Sequence, residues 1–174
     1  MSVNTSIDIT KTPSVKSVAQ SIRLRDVQWD TNGQTIVWLE GRSNQNVLVT
    51  THVNEKPRDL TSELSVKAGI GYGGGEFTVS HGHVVFVADG RLYRQSIAGE
   101  NPMPITPSVG DYAAPSISPD GKWACFVHTH NKREVIGIID LECHGGQQDL
   151  IAGDDFYMQP AWHPSGNYLA FIAW

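Results

Sequence analysis

The fold is decided by SISPDGKWACFVHT (residues 116–129), because the chain repeats the plan of this segment several times. A short apolar strand leads into the turn SPDG (118–121), and the strongly apolar run WACFV (123–127) follows the turn. The glycine supplies a backbone conformation with positive φ at little steric cost. The segment therefore predicts a β-hairpin whose second strand is buried on both faces.

Two segments copy this plan closely, QWDTNGQTIVWLEG (28–41) and AWHPSGNYLAFIAW (161–174). Each has an apolar residue four positions before its turn glycine and an aromatic residue five positions after it. FTVSHGHVVFVADG (77–90) is a weaker copy that is one residue shorter. The four turn glycines, Gly33, Gly82, Gly121 and Gly166, are therefore 49, 39 and 45 residues apart.

A second strand–turn–strand unit follows three of these copies. The units are NVLVTTHVNEKPRDLTS (46–62), RLYRQSIAGENPMPITP (91–107) and VIGIIDLECHGGQQDLIAG (135–153). Two hairpins make four antiparallel strands, and such a unit every ~40–50 residues is the period of a β-propeller blade. The sequence thus predicts an all-β fold, a partial β-propeller of about three and a half blades.

The predicted domain organisation is an N-terminal arm over residues 1–25 and the partial β-propeller over residues 26–174. The predicted blades lie at about 26–66, 75–107, 113–153 and 158–174. Within the arm, PSVKSVAQ (13–20) could form a short helix, since Pro13 suits a first helical turn.

Composition excludes several classes of partner. The net charge is −5 and the chain has no run of Lys and Arg, which argues against nucleic-acid binding. Its longest apolar stretches, such as 84–88, are far too short to span a bilayer, so we expect no membrane partner. The first sixteen residues lack an apolar signal segment, and two cysteines are too few for a disulfide framework. We therefore expect a cytoplasmic protein with reduced thiols.

The motif S-P-D-G-x-x-x-x-F at 118–126 resembles the blade motif of two groups of propellers, the TolB-type translocation proteins and the prolyl oligopeptidase-family serine peptidases. Further stretches favour the second group, in its dipeptidyl aminopeptidase/acylaminoacyl-peptidase-like branch. They are RLRDVQWDTNGQTIVWLEGRSNQNVLV (23–49), YGGGEFTVS (72–80), GDYAAPSISPDGKWACFVH (110–128) and QPAWHPSGNYLAFIAW (159–174). The resemblance covers residues 22–174, in the order and spacing that the family shows.

This resemblance implies a non-catalytic role. In the family, a propeller of about seven blades covers the active site of an α/β-hydrolase domain and restricts it to short peptides. This chain stops at Trp174, inside a blade, so the resemblance implies a truncated N-terminal region that supplies part of the gate, with a peptide substrate only in a full-length parent. A glutamate usually precedes the Tyr-Gly-Gly stretch in the family, but Gly71 stands there in this chain. The role of that glutamate is therefore not carried over.

The residues themselves predict no enzyme and no catalytic, cofactor-binding or metal site. The sequence has no G-x-S-x-G nucleophile turn, and the look-alike Gly41-Arg42-Ser43 lacks the closing glycine and lies in a predicted loop. The glycine-rich stretch GIGYGGGEF (69–77) precedes a strand rather than a helix, so we interpret it as a connection between blades. Within it, Tyr72 and Glu76 are candidates to line the central channel.

Other chemically capable residues have simpler structural interpretations. The pairs His81/His83 and His128/His130 lack a third ligand at a matching offset, so we expect turn and strand-end histidines in solvent. We interpret Cys125 as a small core residue and Cys143, beside His144, as a structural cysteine. Asp120 is expected to bond its own turn, as an acidic turn residue like Asp154 and Asp155. Among the five tryptophans, Trp29, Trp38 and Trp162 recur at blade positions and are expected in the core.

Two rivals to the gating role remain. The first is a stand-alone, TolB-like interaction module, and the second is an enzyme in its own right. In either non-catalytic case, the open edge near residues 168–174 and the uncovered side of the first blade predict self-association.

Overall fold

The computed structural model describes residues 22–72, 75–142 and 145–174. Within these residues, the chain forms fourteen strands and no helix. The predicted helix at 13–20 lies outside the described residues. None of the described residues belongs to a helix long and apolar enough to cross a membrane.

The strands form three four-stranded antiparallel sheets and one two-stranded sheet, each with its strands in chain order. The first sheet contains β1 (Arg23–Trp29), β2 (Thr35–Gly41), β3 (Asn46–His52) and β4 (Arg58–Asp59). The second contains β5 (Phe77–Ser80), β6 (His83–Ala88), β7 (Arg91–Ser96) and β8 (Met103–Pro104). The third contains β9 (Asp111–Ile117), β10 (Trp123–His130), β11 (Arg133–Asp140) and β12 (Gln148–Ile151). The fourth contains β13 (Tyr157–Trp162) and β14 (Leu169–Ala173).

The turn glycines connect the first two strands of each sheet as the sequence predicts. Gly33, Gly82, Gly121 and Gly166 all have φ between 64° and 74°. In the third sheet, Gly121 N donates to Ser118 O at 2.9 Å, and Asp120 Oδ1 accepts from Ser118 Oγ at 2.6 Å. Lys122 N also donates to Asp120 Oδ1, so this carboxylate bonds its own turn and the pKa of Asp120 is lowered.

The core consists of three apolar clusters, each between two successive sheets. Phe86 of the second sheet packs with Val37 and Leu39 of the first. Phe126 of the third sheet packs with Val85 and Leu92 of the second. Tyr157 and Trp162 of the fourth sheet pack around Cys125 and Val127 of the third. Face-to-face packing of successive sheets around a common axis confirms the predicted fold class, a partial β-propeller.

Burial is less uniform than the repeat predicts. In all four copies of the hairpin, a strand follows the turn glycine as predicted, but the predicted burial of this strand is wrong for β14, which is largely exposed. Among the described strands, β13 alone pairs with β14, so the opposite edge of β14 has no strand beside it. The expectation that the repeated tryptophans are core residues is wrong for Trp29, which is exposed, and only partly right for the half-buried Trp38 and Trp162.

The exposure of Trp29 and the half-burial of Trp38 follow from the position of the first sheet, which no described sheet precedes. Trp29 and Trp38 lie on the one broad face of the first sheet that no described sheet covers. β1 also begins at Arg23, so the last residues assigned to the arm belong to the first strand.

Candidate functional site

The first strand of each sheet lies nearest the common axis. β5 contacts both β1 and β9, and β9 in turn contacts β13, so these four innermost strands lie side by side. Their exposed backbone edges line the position of a propeller's central channel. A ligand that passes through the propeller would contact this wall.

Three innermost strands, and the segment that leads into the remaining one, β5, are irregular at the same place, seven residues before the turn glycine. The four residues there are Asp26, Gly75, Ala114 and Gln159. Ala114 and Gln159 lie in bulges with φ of 49° and 51°, and Gly75, at the start of the second sheet, has φ of 60°. Asp26 lies in a bulge of β1. Bulges re-aim side chains and interrupt strand pairing, and they are over-represented at functional sites.

These irregular positions border an open groove of about 440 Å³. Its walls come from all four innermost strands and from Gly75 and Glu76, which lead into β5. Among the lining residues are Asp26, Gln28, Ser116 and Gln159. The groove therefore joins the four sheets along the axis, and polar and apolar groups line it in similar measure.

Hydrogen bonds fix the polar side chains of the groove. The Gln28 amide donates to Asp26 Oδ2 at 3.1 Å and to Phe77 O at 3.0 Å, and its oxygen accepts from Val79 N at 3.3 Å. Gln28 thus bridges the first and second sheets. Glu76 lies 3.6 Å from Arg25 Nη1 in a half-exposed ion pair, an arrangement worth only about 0–1 kcal/mol. The carboxylates of Asp26 and Glu76, which both line the groove, can therefore accept hydrogen bonds from a ligand.

Tyr72 does not line this groove, whereas Glu76 does. The Tyr72 ring lies at the junction of the third and fourth sheets, 5.3 Å from Phe156 and 5.6 Å from Trp174 between centroids. Its hydroxyl donates to Glu134 Oε2. Partial burial, and then the Glu134 carboxylate, raise the pKa of Tyr72.

Glu134 is a buried residue whose carboxylate connects three segments of the chain. It accepts a hydrogen bond from Thr129 Oγ1 at 2.7 Å and from Tyr157 N at 2.6 Å, in addition to that from Tyr72. The carboxylate therefore holds the connection before β5, the β10–β11 hairpin and the start of β13 together. No local pattern indicates this role, because Tyr72 and Glu134 are 62 residues apart.

The histidine pairs differ in environment. His81 and His83 lie at the exposed β5–β6 turn. His128, in contrast, is buried, so the expectation that it lies in solvent is wrong. Its ring stacks on Tyr112 at 4.5 Å, and Nε2 lies 2.8 Å from Val109 O. Within the described part of the chain, no group of three or more His, Cys, Asp or Glu side chains is arranged to hold a metal ion.

The nucleophilic side chains considered from the sequence do not meet in the groove. Cys125 is buried in the core, as predicted, and burial raises its pKa to about 12. Ser43 lies in the short connection between β2 and β3, as predicted. Cys143 lies outside the described residues.

A larger cavity of about 730 Å³ lies between the third sheet and the turn that connects β13 to β14. Trp123, Ile138, Leu150 and Trp162 contribute its apolar lining. The cavity lies between the third and fourth sheets and shares no lining residue with the groove.

No family model matches the chain, and a search of curated proteins finds no match. Solved structures do match its fold. A puromycin-hydrolyzing peptidase of Mycobacterium tuberculosis superposes with a TM-score of 0.73 at 24% identity, over 90% of this chain and 28% of that chain. A puromycin hydrolase gives a TM-score of 0.77 at 21% identity, over 95% of this chain and 30% of that chain. The putative TolB protein of Agrobacterium tumefaciens gives 0.68 at 16% identity, over 87% and 55%.

These matches confirm, at the level of fold, the resemblance to peptidase propellers that the blade motifs predict. They include both groups between which the S-P-D-G motif alone does not discriminate. The chain spans less than a third of the two peptidase chains.

Proposed function

We propose that this chain forms the non-catalytic propeller portion of a prolyl oligopeptidase-like serine peptidase. In this role, its groove is part of the wall past which short peptides reach a hydrolase domain formed by other residues. The observation that supports this most is the superposition of 90–95% of this chain on only 28–30% of two puromycin-hydrolysing peptidases.

The chemistry of the groove suits a short peptide with a free amino terminus. Ala114 N donates to Gly75 O at 2.9 Å, whereas the bulge at Gln159 interrupts the pairing of β13 with β14 and offers backbone groups that an extended peptide can bond. Asp26 and Glu76 offer two carboxylates against the single guanidinium of Arg25. An ammonium group donates to carboxylates in charge-assisted hydrogen bonds, which are stronger than neutral ones.

The absence of catalysis by this chain is tested directly. We expect the purified chain to release no nitroaniline from aminoacyl-nitroanilides and to take up no serine-directed fluorophosphonate. The sequence has no G-x-S-x-G turn to present an activated serine. Stoichiometric labelling of a serine would show that the chain is an enzyme in its own right.

The role of the groove is tested by binding. Calorimetric or NMR titration should show that a tripeptide with a free amino terminus binds more tightly than its acetylated form. Glu76→Gln should remove this preference, while the matched change Glu55→Gln, in the exposed β3–β4 turn, should leave it intact. Equal binding of both peptides, or an equal effect of both substitutions, would contradict a peptide-guiding groove.

A stand-alone, TolB-like interaction module is the second candidate. It is supported by the TolB match, in which this chain spans 55% of the other chain, a larger share than in the peptidases. Such a module would bind a folded protein through the outer surface of its sheets. Under this alternative, the tripeptide titration shows no saturable binding.

A further inference from the structure

A polar cavity of about 230 Å³ lies between the outer parts of the first and second sheets. It is lined by residues 58–64, which comprise β4 and the loop after it, by Gln95 of β7, and by residues 99–102 of the turn between β7 and β8. We call it the outer cavity. Both sheets have all four of their strands, and the outer cavity shares no lining residue with the groove. It is therefore a feature of two complete sheets and separate from the peptide wall.

Gln95 brings a buried oxygen without a partner to the outer cavity. The residue is only 5% exposed. Its Nε2 donates to Leu60 O and to Glu100 O, both at 2.9 Å. These two carbonyl acceptors fix the orientation of the amide, because the amide oxygen cannot donate in place of the nitrogen. Among the described residues, no donor reaches the buried Oε1 of Gln95.

A buried acceptor of this kind indicates a missing donor. Nearly all buried polar atoms in proteins are hydrogen-bonded, since an unpaired one loses its bonds to water and gains none in return. Leu60 and Glu100, which hold the amide of Gln95, line the same cavity. A donor that enters the outer cavity is therefore placed to bond Oε1.

The charges around the outer cavity favour a donor that is positively charged. Its lining residues include three carboxylates, Asp59, Glu63 and Glu100, and one cation, Arg58. Arg58 donates to a backbone carbonyl of the second sheet, and Asp59 is paired with Arg42 at 2.6 Å. Glu63 and Glu100 are exposed and form no ion pair with the described residues. Two carboxylates thus remain available to a cationic ligand.

An alkylammonium group matches these acceptors. An ammonium has three N–H donors and no acceptor, and Gln95 Oε1 and the carboxylates of Glu63 and Glu100 supply three acceptors. Leu64 and Pro102 are partly buried in the same lining, so apolar surface is present for an alkyl chain, which a bare metal ion would not use. The cavity is smaller than the roughly 300–1,000 Å³ of sites for drug-sized ligands, which limits the ligand to a small group.

We propose that the outer cavity binds an alkylammonium group, either the side chain of a lysine in a partner protein or a free alkyl amine. Gln95 Oε1 accepts one N–H of the ammonium, and the carboxylates of Glu63 and Glu100 accept the others. The ligand thereby supplies the missing donor and joins β7 to the loop after β4. This site goes beyond the proposed function, because the groove takes no part in it.

The test is an NMR titration at constant ionic strength with probes that lack a free α-amino group. Nα-acetyl-lysine amide should shift the side-chain amide signals of Gln95 saturably, whereas its Nε-acetylated form, which has no ammonium group, should not. Pentylamine titrated in parallel identifies the source of the ligand. Tighter binding of the lysine derivative indicates a lysine of a partner protein, and tighter binding of pentylamine indicates a free amine.

Substitutions locate the binding site. Glu63→Gln and Glu100→Gln, at exposed positions, should each weaken binding about tenfold, because each removes a charge-assisted hydrogen bond. The matched change Glu55→Gln removes the same charge outside the outer cavity and should leave the affinity unchanged. Gln95→Leu should abolish binding, and circular dichroism shows whether this variant is folded. The two glutamate variants test the site independently of that result.

Three results would overturn the proposal. The first is the absence of saturable shifts with either amine, which would indicate that an ordered water alone satisfies Gln95 Oε1. The second is equal binding of the Nε-acetylated probe. The third is an equal effect of Glu55→Gln and Glu100→Gln. Glu76→Gln, which tests the groove, should leave amine binding unchanged, so failure of one site is distinguished from failure of the other.

Discussion

Gly137 of β11 is expected to be intolerant of a methyl group. It is the register partner of Phe126, whose ring lies across it. An added Cβ would lie 2.5 Å from Phe126 Cε2 and 2.8 Å from Cζ. Carbon atoms in contact are normally about 3.5–4.0 Å apart, so the buried ring would have to move by about 1 Å.

The magnitude follows from two opposing effects. Overpacking a well-packed core costs about 1–3 kcal/mol. Replacing glycine by alanine returns about 0.4–1 kcal/mol, because the unfolded chain loses conformational freedom. We therefore expect Gly137→Ala to lower the free energy of unfolding by about 1–2 kcal/mol.

A double-mutant cycle identifies the ring as the cause. Phe126→Leu removes the atoms that would clash, so in that background Gly137→Ala should be neutral or slightly stabilising. Urea unfolding followed by tryptophan fluorescence, at one protein concentration, measures each free energy. Gly145→Ala is the matched control, since no atom lies within 4 Å of its Cβ position. The same loss in both backgrounds would refute a clash with Phe126.

Three further outcomes are expected. Phe126→Ala should cost about 3–5 kcal/mol, whereas Trp38→Ala should cost less because its ring is only half-buried; equal losses in urea unfolding would contradict this. Glu134→Ala should cost about 3–5 kcal/mol, because it removes three hydrogen bonds and leaves a buried amide unpaired, and Glu134→Gln should cost measurably less in the same assay. In a Cys143→Ser background, Cys125 should not react with a thiol reagent at pH 8 until the chain is unfolded. Its pKa, raised to about 12, keeps the thiol protonated there, so rapid labelling of the folded chain would show that the cysteine is accessible.

The repeat could be predicted from sequence because its signals are local. Gly121 requires a left-handed conformation that glycine adopts easily, and an apolar run follows it at a fixed distance. The blade plan and the burial of Phe126 follow from these two features. The half-burial of Trp38 does not follow from them, because residues at the same repeat position are covered or uncovered according to whether another sheet packs on that face.

The groove could be predicted only in part. Glu76 is identified as a channel residue from its place in the glycine-rich connection. The bulges at Ala114 and Gln159 leave no trace in composition, because neither residue type favours the positive φ it adopts. The prediction for Tyr72 is wrong because its position depends on Glu134, in a different sheet.

The groove makes a demand on one face of β1 only. Side chains alternate along a strand, so Val27 and Trp29 lie on the face of the first sheet away from the second sheet, while Gln28 turns toward β5 at the groove. Val27→Lys should therefore leave the preference for a free amino terminus unchanged, whereas Glu76→Gln should remove it. Loss of the preference in both variants would contradict a peptide site confined to the groove, because Val27 does not face it.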